Sequence, residues 1–321
     1  MLTKRELLVV QAMPAEPLGQ HDHRCEQDVV RTPRRSALLP SGCAIAAVVL
    51  TLTLAGSSSW AAGQTSKFQN KLKSVELCNG ADRSSPDPQI KGCTALIDSE
   101  DETKTVLALA HNNRGDAYLI KGEIDLAIKD YDDAIKLNPD FAKAFNNRGV
   151  AYQKKGNYDR AIKDFDQAIK LNPKYARAFA NRAETSQKRH DYQQAVRDYD
   201  EAIRLQPDLE SVWNGRCWAR AILGELEPAL MDCNKALLVQ PKDAAALDSR
   251  GLVYLKMGRL DSAIAEYNSA LRIEPQLASA LYGRGIARLK SGDSVGGNAD
   301  MAAAKKIEKS IADDFARYRL P

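Results

Sequence analysis

Apolar and polar positions recur along most of this chain with a fixed step of 34 residues. In AKAFNNRGVAYQKKG (142–156) and YDRAIKDFDQAIKLNP (158–173), small and bulky apolar residues return at helical spacing. The two runs end at Gly156 and Pro173, which predicts two successive helices joined by a turn. Prolines 139, 173, 207, 241 and 275 repeat the stop. Small residues repeat inside the helices: Gly115, Gly149, Ala183, Cys217, Gly251 and Gly285 in the first; Ala127, Ala161, Ala195, Ala229 and Ala263, then Ala134, Ala168, Ala202, Ala236 and Ala270, in the second. Glycine inside a helix costs about 1 kcal/mol relative to alanine. A position that is glycine in four of six units therefore needs the space: the helices of a pair approach closely there, while aromatic and aliphatic side chains fill the flanks. The pattern predicts an all-α chain of antiparallel helix pairs.

A 34-residue period with small residues at fixed offsets and a closing proline resembles the tetratricopeptide repeat, over residues 108 to about 311. The resemblance, which extends to exported bacterial members of that family, implies an α-solenoid of about six units: 108–141, 142–175, 176–209, 210–243, 244–277 and 278–311. Residues 62–107 read as an N-terminal cap hairpin built from FQNKLKSVELC and QIKGCTALIDS. The sixth unit lacks the proline and carries Lys305 where an aliphatic residue belongs. It is expected to cap the stack, with its second helix running on through IADDFARYRL so that 312–321 form the end of that helix.

The N-terminal composition departs from this pattern. RTPRRSALLPSG precedes the uncharged run CAIAAVVLTLTLA (43–55) and then GSSSWAAGQ, the basic, apolar and small-residue order of a secretory signal cut after Ala61. Residues 1–61 are read as pre-sequence and signal, with translation starting near Val29 or Val30, so that His21, His23 and Cys25 never reach the mature chain. The run is nearer a dozen residues than the roughly 20 that span a bilayer. The charge-free window 36–66 leaves an uncleaved membrane anchor as the alternative to a bacterial periplasmic protein. Of 46 Lys+Arg and 42 Asp+Glu, six and five fall before Ala62, and the balance of 40 against 37 leaves no electrostatic footprint for nucleic acid. Aromatic content of 6% suits helices closed by Ala, Leu and Ile.

Export would leave Cys78, Cys93, Cys217 and Cys233, two pairs that each straddle a hairpin turn. A bridge across a loop of about 15 residues contributes roughly 3 kcal/mol in the loop-entropy treatment. Cys78–Cys93 is the expected bridge; Cys217 and Cys233 are either bridged or buried thiols. Their spacing does not suit zinc, and four histidines are too few for a histidine-built centre, so no metal or cofactor is expected. Arg114, Arg148, Arg182, Arg216, Arg250 and Arg284 share one offset, with Asp130, Asp164, Asp198, Asp232, Glu266 and Asp300 sixteen residues on. This predicts a repeated Arg–carboxylate bridge within or between hairpins; an arginine row open to anions is the alternative.

In tetratricopeptide proteins the first helices line a concave face that holds a peptide or a partner helix. The resemblance assigns to that face Asn112, Asn113, Lys143, Asn146, Asn147, Arg177, Asn181, Asn214, Trp218, Leu252 and Tyr282. Asn113, Asn147 and Asn181 share one offset, similar to asparagine ladders of the family that pair with a peptide backbone; otherwise they satisfy neighbouring groups between helices. Three amides at about 1 kcal/mol each fall short of the roughly 8 kcal/mol of a micromolar complex. An apolar anchor of Trp218, Leu252, Leu255 and Ile286 is therefore expected beside them, unless these residues are inter-unit core. The family's clamp for C-terminal carboxylates is matched by Asn147 and Arg177, but Asn112, Asp116 and Asn181 depart from it, so that ligand is not expected. With no phosphate loop and no nucleophile paired with a base, the chain reads as a binding module and not an enzyme. The expectation is an exported adaptor or scaffold that takes a protein or peptide in its groove. The alternative is a structural component of an envelope assembly, acting through its convex face or the helix KKIEKSIADDFARYR.

Overall fold

The computed structural model describes residues 57–80 and 85–318. The pre-sequence and signal reading therefore lies, up to residue 56, outside the described residues, as do His21, His23, Cys25 and Cys43. The described residues form fifteen α-helices and no strand, and the chain divides into two compact units, Met1–Glu102 and Thr103–Pro321. None of these helices is long and apolar enough to cross a membrane.

In the first unit, α1 (Ser57–Cys78) packs against α2 (Pro86–Ile97). Ser85 starts α2 by accepting a hydrogen bond from the Asp87 backbone, and Pro86 follows it, where a missing N–H costs nothing. Gly92 lets the helices meet backbone to backbone: a Cβ there would lie 2.8 Å from the Ser74 carbonyl oxygen. Val75, Leu96 and the bridged Cys78–Cys93 pair, with Cα atoms 4.5 Å apart, fill the small interior.

The second unit is a run of helix pairs. These are α3 (Lys104–Ile120) with α4 (Ile124–Leu137), α5 (Ala142–Lys154) with α6 (Tyr158–Leu171), α7 (Ala176–Lys188) with α8 (Tyr192–Leu205), α9 (Glu210–Leu223) with α10 (Leu226–Val239), α11 (Ala244–Lys256) with α12 (Leu260–Ile273), and α13 (Ala278–Lys290) with α14 (Ser294–Ile307). A short helix, α15 (Ile311–Arg317), follows. Each second helix packs on its own partner and on the first helix of the next pair, and successive first helices also touch, so the array is an α-solenoid. Inside the first, second and fifth pairs a ring is laid on a bare backbone. A Cβ at Gly149 would stand 2.6 Å from Phe165 Cε1, and both residues are buried. In the fourth pair Cys217 and Cys233 take these two places, and a disulfide with Cα atoms 5.3 Å apart replaces the ring.

The turn inside each pair uses a left-handed residue. Gly122, Gly156, Gly224, Gly258 and Gly292 supply it in five pairs. In the third pair the same place is held by His190 at φ 63°, the one positive-φ residue other than glycine among the described residues.

The sixth pair corrects the expected continuous capping helix. Glu308 adopts the extended cap geometry (φ −132°, ψ 108°) found at Asn138, Asn172, Gln206, Gln240 and Glu274, so α14 stops at Ile307 without a proline. The chain then turns and forms α15 as a separate helix. A straight continuation would carry Ile311 and Phe315 away from the core; the turn buries both among the apolar residues of pairs four to six.

Candidate functional site

The arginine row is fully committed to the fold. Arg182 Nε and Nη2 donate to both oxygens of Asp198 on its own second helix at 2.9 and 2.6 Å, and Nη1 donates to Asp166 of the preceding pair at 2.6 Å. Arg148 grips Asp164 and Asp132 in the same way, and Arg216 grips Asp232 and Asp200. In the last two pairs the preceding partner is an amide, Asn234 for Arg250 and Asn268 for Arg284. Rings three residues earlier, Phe145, Phe179 and Trp213, lie 5.0–5.6 Å from the guanidinium carbons. Burial works against the Arg182 charge, but the bonds to Asp198 and Asp166 more than offset it and raise its pKa. Arg148, Arg182, Arg216, Arg250 and Arg284 thus each fasten two pairs together, and Arg114 holds Asp130 of its own pair.

The amides of the first three pairs form a chain of their own. Asn181 donates to Asn146 at 2.9 Å, Asn146 to Asn147 at 3.1 Å, Asn147 to Asn112 at 3.1 Å, and Asn112 to Asn113 at 3.2 Å. Asn147 also donates to Asp116 at 2.8 Å, where Tyr131 Oη donates at 2.7 Å. Burial raises the Asp116 pKa in spite of those bonds and of the Lys143 charge. These asparagines therefore stitch α3, α5 and α7 together along the line where the first helices meet. Around them Lys143, Lys154, Arg177, Glu184 and Lys188 are exposed.

The apolar end looks different from its sequence-based expectation. Leu252 and Leu255 are buried core residues and not an exposed anchor, and Ile286 packs against the same core. Tyr282 is buried beneath Phe315, ring centroids 4.9 Å apart. Trp218 is half-buried and meets Tyr318 edge-on at 5.4 Å. Asn214 keeps a buried Oδ1 with no partner. Periodic reasoning missed Phe315 and Tyr318 because they follow the last repeat; their signal was the apolar spacing in IADDFARY. His111, Asp130 and Asp133 come within 4.8 Å of one another, but Arg114 holds both Asp130 oxygens at 2.8 Å, so a cation there would meet a guanidinium.

Stacked hairpins of fixed step, with first helices meeting along one side and arginine clamps between pairs, define a helical-repeat scaffold. The chain carries tetratricopeptide repeats: the tetratricopeptide repeat family model matches residues 142–175, and a second TPR repeat model matches 115–156 and 251–292. Its fold is similar to that of a tetratricopeptide repeat protein from Parabacteroides merdae (TM-score 0.59, 18% identity, 78% of this chain and 99% of that one). It is also similar to PilF of Pseudomonas aeruginosa (0.55, 16%, 66% and 98%) and to a chain of the APC/C hetero-tetramer Cut9–Hcn1 (0.62, 16%, 77% and 48%). At these identities the likeness concerns the fold. No curated protein matches the chain.

Proposed function

We propose that this protein is an exported scaffold that binds a protein partner along the first helices of pairs one to three. The carrying observation is the contrast between the two ends of that side. At one end α15 covers Tyr282 and Trp218; at the other, Lys143, Lys154, Arg177 and Lys188 stand exposed around a single exposed acid, Glu184. A row of exposed cations beside a rigid amide chain suits an extended segment with acidic side chains. Export is supported by the basic, apolar and small-residue order before Ala61 and by two disulfides, which persist in oxidising compartments.

A second reading, assembly through the second-helix side, is favoured by one departure from the repeat. Met231 and Leu238 are 72% and 73% exposed in the fourth pair, at offsets that hold Lys129, Lys163 and Arg197, and Lys136, Lys170 and Arg204, in the first three. A photo-crosslinking residue placed at position 143 or at position 231 in cells separates the two. Adducts from 143 are expected; adducts from 231 alone would favour assembly. N-terminal sequencing of the exported chain tests the cut after Ala61.

A further inference from the structure

α15 has seven residues, too few to hold a helix in water unaided, and no side chain caps its start. What fixes it is the wall it lies on. Ile311 and Phe315 are buried there, Phe315 lies on Tyr282 of α13, and Tyr318 reaches Trp218 of α9. Lys256 Nζ, from α11, donates to the Tyr318 carbonyl oxygen at 2.8 Å, placing a cation at the carbonyl end of the helix. The wall is therefore built from three different first helices, and the segment crosses pairs to which it is not adjacent in sequence. The arginine clamp that fastens the other first helices is missing: Tyr318 stands 34 residues after Arg284, where the next clamp would fall. Ile311 and Phe315 stand at the repeat offsets of Leu277 and Leu281, but the segment turns back so that Tyr318 reaches α9, and in place of a clamp it is held there by a ring contact and a carbonyl contact.

We propose that the wall formed by Trp218, Lys256 and Tyr282 is a recognition site for a short amphipathic helix carrying an aliphatic residue followed at +4 and +7 by aromatic ones, and that α15 occupies it as an intramolecular stand-in which a partner helix of this pattern displaces. The site goes beyond the polar surface of pairs one to three and does not depend on it. The pattern is that of Ile311, Phe315 and Tyr318: one side chain for the core, a ring for each aromatic wall residue, and free carbonyls for the lysine.

The test is fluorescence anisotropy with a labelled synthetic peptide of residues 308–318, added to the full-length protein and to its full-length Phe315→Ala/Tyr318→Ala variant. Occupancy by α15 scales apparent affinity by the free fraction, so the double variant is expected to bind at least about ten-fold more tightly than the unaltered protein. Trp218→Ala added to the double variant should abolish the gain, and a peptide carrying the two alanines should not bind. Equal binding by both proteins overturns the proposal, as does no binding by a double variant with unaltered circular dichroism. Should that variant fail to fold, hydrogen exchange on the unaltered protein decides. Amides of α15 exchanging at least about ten-fold faster than those of α13 support a displaceable segment; equal rates make it a fixed part of the fold. Light scattering that shows dimers joined by exchanged α15 segments would assign the site to a second copy and overturn the intramolecular stand-in.

Discussion

Asp248→Asn should stabilise the protein, and by an amount that grows with pH. Asp248 lies on α11, 5% exposed, with the Ser279 hydroxyl donating to it at 2.6 Å. Burial, and after it the charge of Glu274, push its carboxyl up to about 7 in spite of that bond. An unfolded-state value near 3.9 leaves a gap of about three units, which corresponds to a ceiling of about 4 kcal/mol. The native carboxyl holds its proton more tightly than the unfolded one. Its favourable contribution is therefore complete below about pH 4, declines as pH rises toward about 7, and is constant above that. Asparagine has the shape of the protonated acid, can accept the Ser279 bond, and is the residue at this offset in Asn112, Asn146 and Asn214. Urea unfolding followed by tryptophan fluorescence, on both proteins from about pH 4 to about pH 8, measures the difference directly. The midpoints should nearly coincide at the acid end and separate steadily in favour of asparagine. Parallel curves, or a less stable variant at the alkaline end, would show that Asp248 is ionised and accommodated in the native chain, and the reasoning from burial would be wrong.

Arg182→Met should cost about 3–5 kcal/mol, because it leaves the buried Asp198 carboxylate without its counter-charge and with only the Gln194 amide donating to it, while Arg182→Lys should restore only part, since an ammonium cannot reproduce the forked grip; chemical denaturation of the two variants reads the order. His190→Gly should raise stability by about 1 kcal/mol by relieving the left-handed strain, and an unchanged or lower midpoint would show that the His190–Tyr192 contact at 3.2 Å outweighs it. Cys217→Ala/Cys233→Ala should lose about 3 kcal/mol relative to the oxidised protein, and a count of free thiols before reduction should find none among the four cysteines of the described residues.

Most of the fold was legible because each pair restates the same constraint. A small residue against a bulky side chain, alanines on the facing helix and a stop after Asn172 or its equivalents are local demands, and their repetition made them visible above the noise of any single unit. The arginine bridge shows how far such reasoning reaches. Arg182 and Asp198 lie sixteen residues apart along one hairpin, so helix length alone places them at one height. Asp166 also lies sixteen residues from Arg182, on the other side, and only the packing of one pair on the next reveals that the same guanidinium holds both. The turn after Ile307 escapes the repeat pattern for a related reason. The stop is not the proline but the extended residue before it, and Glu308 takes that geometry unaided.

The candidate site was less legible because offsets carry over chemistry but not neighbours. Asn147 stands where a peptide-binding amide would, yet the residues across from it are Asn112 and Asp116, so its hydrogen bonds are made before any partner arrives. Leu252 and Leu255 occupy outward offsets of a repeat, but in the fifth pair they join an apolar cluster that includes Ile311 and Phe315 and become interior. Periodicity gives only part of α15: Ile311 and Phe315 stand 34 residues after Leu277 and Leu281, but the step does not show that the segment turns back onto Trp218 of α9. Its amphipathicity could have done so: an aliphatic and two rings on one face of an otherwise charged segment demand cover, and the apolar wall nearest at hand was the groove itself. On the proposal made above, such a segment would put the wall of α9, α11 and α13 under the control of the same chain that builds it.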